Sequence, residues 1–134
     1  MITDRMGDFI IRLQNAARIG KPTVSMPYSL HVLAIAKKLK DLSFITSVAV
    51  EAVGDSEIKK EIVVKLAYSE TGQPKLRGVK RISKPGRRLY VPHTGAHTVK
   101  GGTGIRLISS SAGVISDKEA RMKRVGGEDL FEIW

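Results

Sequence analysis

Two histidines four residues apart, His93 and His97, and three consecutive serines, Ser109, Ser110 and Ser111, are the side chains here with the most obvious chemical use. A His pair at that spacing can share a helical face and hold a metal, but Thr94, Gly95 and Ala96 between them lack the Glu of the H-E-x-x-H motif. The chain has no cysteine to complete a structural zinc site or to act as a thiol nucleophile. Ser111-Ala112-Gly113 ends like the nucleophile elbow G-x-S-x-G, yet the position two before Ser111 is Ser109 and not Gly. Lys100-Gly101-Gly102-Thr103-Gly104 puts its lysine ahead of the glycines, whereas a P-loop needs Gly-Lys-Ser or Gly-Lys-Thr leading into a helix. A turn is expected there. Nothing in these patterns specifies a catalytic residue, a metal or a cofactor.

Charge is far more specific. Between Glu70 and Asp117 there is no Asp or Glu, although the stretch holds nine Lys or Arg. The whole chain carries 23 basic and 13 acidic side chains, so nearly all of its net +10 sits in Thr71 to Ser116. A cationic region beside an ordinary charge mixture is the footprint of a polyanion binder, most often a nucleic-acid binder. Within it, Arg81-Ile82-Ser83-Lys84-Pro85-Gly86-Arg87-Arg88-Leu89-Tyr90 places four cations and one aromatic around a Pro-Gly turn. Lys84, Arg87 and Arg88 can neutralise phosphates, and Tyr90 can stack on an unpaired base or bond a 2′-hydroxyl. The short side chains of Ser109, Ser110, Ser111 and Gly113 let a nucleic acid approach closely.

The elements that must position these groups follow from periodicity. At 134 residues and 42% hydrophobic, the chain is long and apolar enough to build a core. Met6, Phe9, Ile10, Leu13 and Ala17 repeat at helical spacing, with Thr3 or Asp4 available as a cap and Gly20 and Pro22 beyond the end. Thr23 to Met26 is β-prone, and Ser29 can cap a second helix whose Val32, Ile35, Ala36 and Leu39 face one way and which ends near Leu42. Phe44 to Val53 and Glu61 to Tyr68 read as strands, with Gly54, Asp55 and Ser56 turning between them. The first lobe, residues 1–70, is therefore α-β-α-β-β. A β-rich second lobe, residues 74–134, is expected to hold extended pieces in Lys75 to Ser83 and Arg88 to Val91, and an apolar run from Ile105 to Ile108. After these come a turn through Gly113, a short capped helix from Ser116 to Lys123 and a final strand ending at Trp134. The fold class is α+β. No run approaches the roughly 20 apolar residues of a membrane span, so a soluble cytoplasmic protein is expected.

Several spaced motifs together resemble the bacterial small-subunit ribosomal protein S8 family. They are Ser83-Lys84-Pro85-Gly86-x-Arg88-x-Tyr90, Gly102-x-Gly104-Ile105, Ser109-x-Ser111-x-Gly113-Val114, Asp117-x-x-Ala120-Arg121 and Gly126-Gly127-Glu128. The opening Asp4-x-x-x-Asp8-x-x-x-Arg12-x-x-Asn15-Ala16 is similar to that family's first helix. The resemblance implies a primary rRNA-binding protein of two lobes that docks on the central domain of small-subunit (16S-type) rRNA and aids its assembly. It also implies contacts with neighbouring small-subunit ribosomal proteins and, in some bacteria, repression of the protein's own operon mRNA. By the same resemblance Ser109, Ser110, Ser111 and Gly113 form the RNA-reading loop, with further contacts from Tyr90 and Glu128. A carboxylate near RNA repels phosphate, so Glu128 is expected to accept from a base amino group or to hold a nearby Arg. The chain departs from the family at Ala112, where Lys is common, and at Arg5, where Pro is usual. Two alternatives stand beside this one: an enzyme acting on RNA through His93 or His97, and a DNA-binding regulator using helix 29–42 for recognition.

Overall fold

A computed structural model describes residues 4–54, 56–92 and 104–134. The chain divides into two compact units, Arg5–Arg77 and, with Asp4, Gly78–Trp134. His93, His97, Lys100, the glycines 101 and 102, Thr3 and Asp55 lie outside the described residues.

In the first unit, α1 (Arg5–Ile19), β1 (Thr23–Pro27), α2 (Leu30–Asp41), β2 (Ile45–Val53) and β3 (Ser56–Leu66) follow one another. The strands form an antiparallel sheet in the order β1-β3-β2. The apolar stripe of α1 is buried as its spacing predicts, and Val32, Ile35, Ala36 and Leu39 of α2 lose all contact with solvent. These stripes pack α1 on β1 and α2, and α2 on β2. Arg12 ties helix to sheet, its Nη1 donating to the Ser25 carbonyl at 2.8 Å while Nε binds Asp8 at 3.1 Å. Ser29 does occupy the N-cap of α2, but its hydroxyl makes no capping hydrogen bond. Strand β3 starts at Ser56, ahead of the expected Glu61, because the ribbon it makes with β2 carries on past Lys60. Residues 67–76 stay with this unit: Lys75 N–H donates to the Ala67 carbonyl at 2.9 Å, Ser69 N–H to Gln73 at 2.7 Å, and Leu76 is buried.

The second unit holds β4 (Val79–Arg81), β5 (Tyr90–Val91), β6 (Ile105–Ser110), β7 (Gly113–Ser116), α3 (Asp117–Lys123) and β8 (Gly127–Ile133). The last strand in sequence is the middle one in space: the order is β4-β8-β6-β7, with β5 also on β8, all antiparallel. Leu107 faces Phe131 and Ile108 faces Asp129, so Leu130 bulges out of the ladder. The bulge lets three successive residues, Asp129, Leu130 and Phe131, all be buried. Helix α3 opens on a capping box, in which the Ser116 hydroxyl accepts from Glu119 N–H at 3.2 Å and the Glu119 carboxylate accepts from Ser116 N–H at 3.5 Å. Ala120 then packs on Ile108 and Ile115, with Val91 and Val125 at the margin.

Close approach of three strands depends on two adjacent glycines. A Cβ on Gly127 would sit 2.1 Å from the Ser109 carbonyl oxygen, and one on Gly126 would sit 2.4 Å from that of Val91. Both obstacles are backbone, which cannot swing aside. By contrast, a Cβ on Gly86 would meet nothing within 4 Å.

Gly127→Ala is therefore expected to destabilise the fold by roughly 1–3 kcal/mol, while Gly86→Ala leaves stability unchanged. Urea unfolding followed by circular dichroism checks both, and equal stabilities would refute the close-approach account. A second expectation concerns Asp129, which is only 4% exposed. Burial raises its pKa, and the attraction of Arg106 only partly opposes this. The folded protein thus holds that proton more tightly than the unfolded chain, so this contribution to stability is full at low pH and is lost as pH rises through the raised pKa. Asp129→Asn should flatten the stability profile as pH rises from about 4, the ordinary carboxylate value; a profile identical to that of the unmutated protein would contradict it.

Candidate nucleic-acid interface

The Lys84–Arg87 turn is held from both sides. Its backbone closes on itself, Lys84 N–H donating to the Arg87 carbonyl at 3.0 Å and Arg87 N–H to that of Lys84 at 2.9 Å, around the tip Pro85-Gly86. One residue outward, the buried Ser83 hydroxyl donates to the Leu89 carbonyl at 3.1 Å and accepts from Leu89 N–H at 2.9 Å. Ser83 N–H in turn donates to the Asp129 carbonyl at 3.1 Å, fixing the turn to β8. Lys84, Arg87, Arg88 and Tyr90 are all exposed, Tyr90 at 70%. Two of the cations, Lys84 and Arg87, form no ion pair with any described residue. They also border a cleft of about 420 Å³ that has Asp129 and Glu132 in its walls.

The serines stand at the end of the β6–β7 hairpin. Ser110 faces Gly113, and Ser111 and Ala112 form the two-residue tip, with Gly113 at φ +101°, a conformation that suits glycine. The Ser110 hydroxyl is used within the hairpin, donating to the Gly113 carbonyl at 2.9 Å and accepting from Ala112 N–H at 3.1 Å. Ser111 and Ala112 remain exposed at the tip, so the Ala112 position projects a methyl group outward where a Lys would project an ammonium.

Strand register joins the two regions. Tyr90 on β5 lies opposite Glu128 on β8, Glu128 lies opposite Ser109 on β6, and Ser109 lies opposite Val114 on β7. Directly opposed residues share a sheet face, with Cβ atoms roughly 5 Å apart. The result is a row with an aromatic ring, a carboxylate and a hydroxyl in sequence across the sheet. Arg88 leans on the middle of it, its Nη1 lying 3.2 and 3.3 Å from the two carboxylate oxygens of Glu128.

The cationic block is therefore less cationic in space than along the chain. Arg81 is paired with Asp4, Nη2 to Oδ1 at 2.7 Å, and also donates to the Ser83 carbonyl. Arg106 lies 2.7 Å from Glu132 and 3.6 Å from Asp129. Together with the Arg88–Glu128 pair, three of the nine cations meet acids from outside the block. Charge spacing along the sequence carried no sign of these long-range pairs. Ser83 was part of a visible motif, but only its burial and its two bonds to Leu89 show why it matters there. No group of three or more His, Asp or Glu that could hold a metal occurs among the described residues. No described helix is long and apolar enough to cross a membrane.

Comparison with known proteins agrees over the whole chain. The family model described as Ribosomal protein S8 matches residues 4–134. A small ribosomal subunit protein uS8 of Nocardioides sp. is 41% identical over 133 residues, covering 99% of this chain and 98% of that protein. The protein of the same name from Xanthomonas oryzae pv. oryzae is 43% identical over 129 residues, 96% of each chain. That of Chloroflexus aurantiacus is 40% identical over 133 residues, 99% of this chain and 98% of its own length. From the first helix to the closing Gly126-Gly127-Glu128 strand, the chain belongs to the ribosomal protein S8 family, whose members are structural parts of the ribosome and not enzymes.

Proposed function

We propose that the protein is a constituent of the small ribosomal subunit that binds the central domain of small-subunit rRNA through its second unit and helps that domain assemble. The row Tyr90–Glu128–Ser109 carries this proposal, because it sets a stacking surface, an acceptor and a hydroxyl side by side on one sheet face. Such a row suits an unpaired base held out of its helix, which is how proteins read RNA sequence; a regular RNA duplex hides its base edges in a narrow major groove. Flanking the row, Lys84 and Arg87 supply phosphate contacts, and Ser111 with the open backbone around Gly113 meets sugar or base edges. Ser110 serves the interface by holding the hairpin tip in shape. Neighbouring small-subunit ribosomal proteins are the other expected partners. An operon mRNA that mimics the rRNA site would meet the same row, which is the physical basis for repression of the protein's own synthesis.

The two kinds of contact should separate by mutation. Ser111→Ala is expected to weaken binding to the rRNA central-domain fragment about tenfold or more, while hardly changing binding to a shuffled RNA of equal length. Lys84→Ala should weaken both and reduce the slope of log affinity against log salt by about 0.7–0.9. Filter binding across a salt series measures all of these; equal losses on both RNAs for Ser111→Ala would overturn the serine tip as a reader of sequence.

A further inference from the structure

Arg88 sits in the cationic turn beside Lys84 and Arg87, yet its geometry differs from theirs. Its Nη1 contacts both oxygens of Glu128, a carboxylate only 16% exposed, whereas Lys84 and Arg87 have no ion pair with any described residue. A carboxylate in the middle of an RNA-facing row would repel phosphate and could swing between rotamers. The guanidinium removes both problems at once: it cancels the charge and restricts rotation of the carboxylate. The strand that carries Glu128 is itself fixed in place by Gly127 against Ser109 and by Asp129 N–H, which donates to the Leu89 carbonyl at 2.8 Å.

We infer that Arg88 is a positioning residue: it presents and neutralises Glu128 between Tyr90 and Ser109 so that the carboxylate can accept from an unpaired base, and it does not serve as a phosphate cation. This deepens the proposed rRNA recognition and rests on it. A cation already matched to a carboxylate adds no net neutralisation of RNA and releases no counterion. The Arg88–Glu128 pair as a unit therefore contributes to selectivity and leaves the salt dependence alone. Because one nitrogen makes both contacts, a lysine ammonium can replace it.

The experiment is a salt series of binding to the central-domain rRNA fragment and to a shuffled RNA, for the unmutated protein, Arg88→Ala, Arg88→Lys, Arg87→Ala, Glu128→Gln and the Arg88→Ala/Glu128→Gln double variant. The expected result is a loss of about tenfold in cognate affinity for Arg88→Ala, and an unchanged salt slope for the Arg88→Ala/Glu128→Gln variant, which removes both charges of the pair together. Arg87→Ala should instead flatten the slope by about 0.7–0.9. Arg88→Lys should restore most of the affinity, and the double variant should be no weaker than the weaker single variant. A slope for the Arg88→Ala/Glu128→Gln variant that flattens as for Arg87→Ala, or losses that add in that variant, would overturn the positioning role while leaving rRNA recognition intact. An unmutated protein that cannot tell the two RNAs apart would overturn both.

Discussion

Two missing side chains govern the geometry of the second unit. At Gly126, just ahead of β8, and at Gly127, its first residue, the backbone comes so near the carbonyls of Val91 and Ser109 that no Cβ fits at either position. Because the strand is pressed between β5 and β6 at this point, Glu128, the next residue, is opposed by Tyr90 on one side and Ser109 on the other. A residue of any other type at position 127 would force β6 away and pull the row apart. The bulge at Leu130 follows immediately and returns the strand to its pairing with β4 and β6 while burying Asp129. The candidate interface is thus set by backbone contact in the sheet interior, and the exposed side chains inherit their positions from it.

Electrostatics is arranged on the same frame. A segment without acids is a poor candidate for a compact fold on its own, since its cations repel one another. Here the acids that relieve it come from elsewhere: Asp4 for Arg81, Glu128 for Arg88, and Glu132 with Asp129 for Arg106. Three of these four carboxylates belong to β8, the strand that also sits in the middle of the sheet. Neutralised arginines hold the scaffold together, and among the cations without such partners, Lys84 and Arg87 flank the tip of a turn closed by Ser83. Charge left open to a polyanion and charge that stabilises the protein are therefore drawn from one stretch of sequence and separated only by folding.

Much of this was legible before folding was considered. The stripes of α1 and α2, the hairpin of β6 and β7, and the short helix after Ser116 follow from period, turn chemistry and capping, which are local properties. The clustering of Tyr90, the serines and Glu128 was expected from the family resemblance and not from spacing, because 37 residues lie between Tyr90 and Glu128. What sequence could not show was register: that the last strand would lie in the middle, that Arg88 would reach Glu128, or that Ser29 would take a cap position without making the cap bond. The start of β3 was misplaced because its charged residues, Lys59 and Lys60, argue against a strand, although an exposed two-stranded ribbon tolerates them. Pairings between distant residues are decided by the whole sheet, which no local window contains.

The central claim is that one row of one sheet, Tyr90–Glu128–Ser109 with the Ser111 tip, forms the surface that meets RNA. Amide chemical-shift mapping by nuclear magnetic resonance, with the central-domain rRNA fragment added to the intact protein, tests it directly. Saturable shifts centred on Tyr90, Ser109 to Gly113 and Glu128, with smaller shifts at Lys84 and Arg87, are the result this structure predicts. Shifts confined to the Arg5–Arg77 unit, or spread evenly over basic residues without affecting the row, would contradict it.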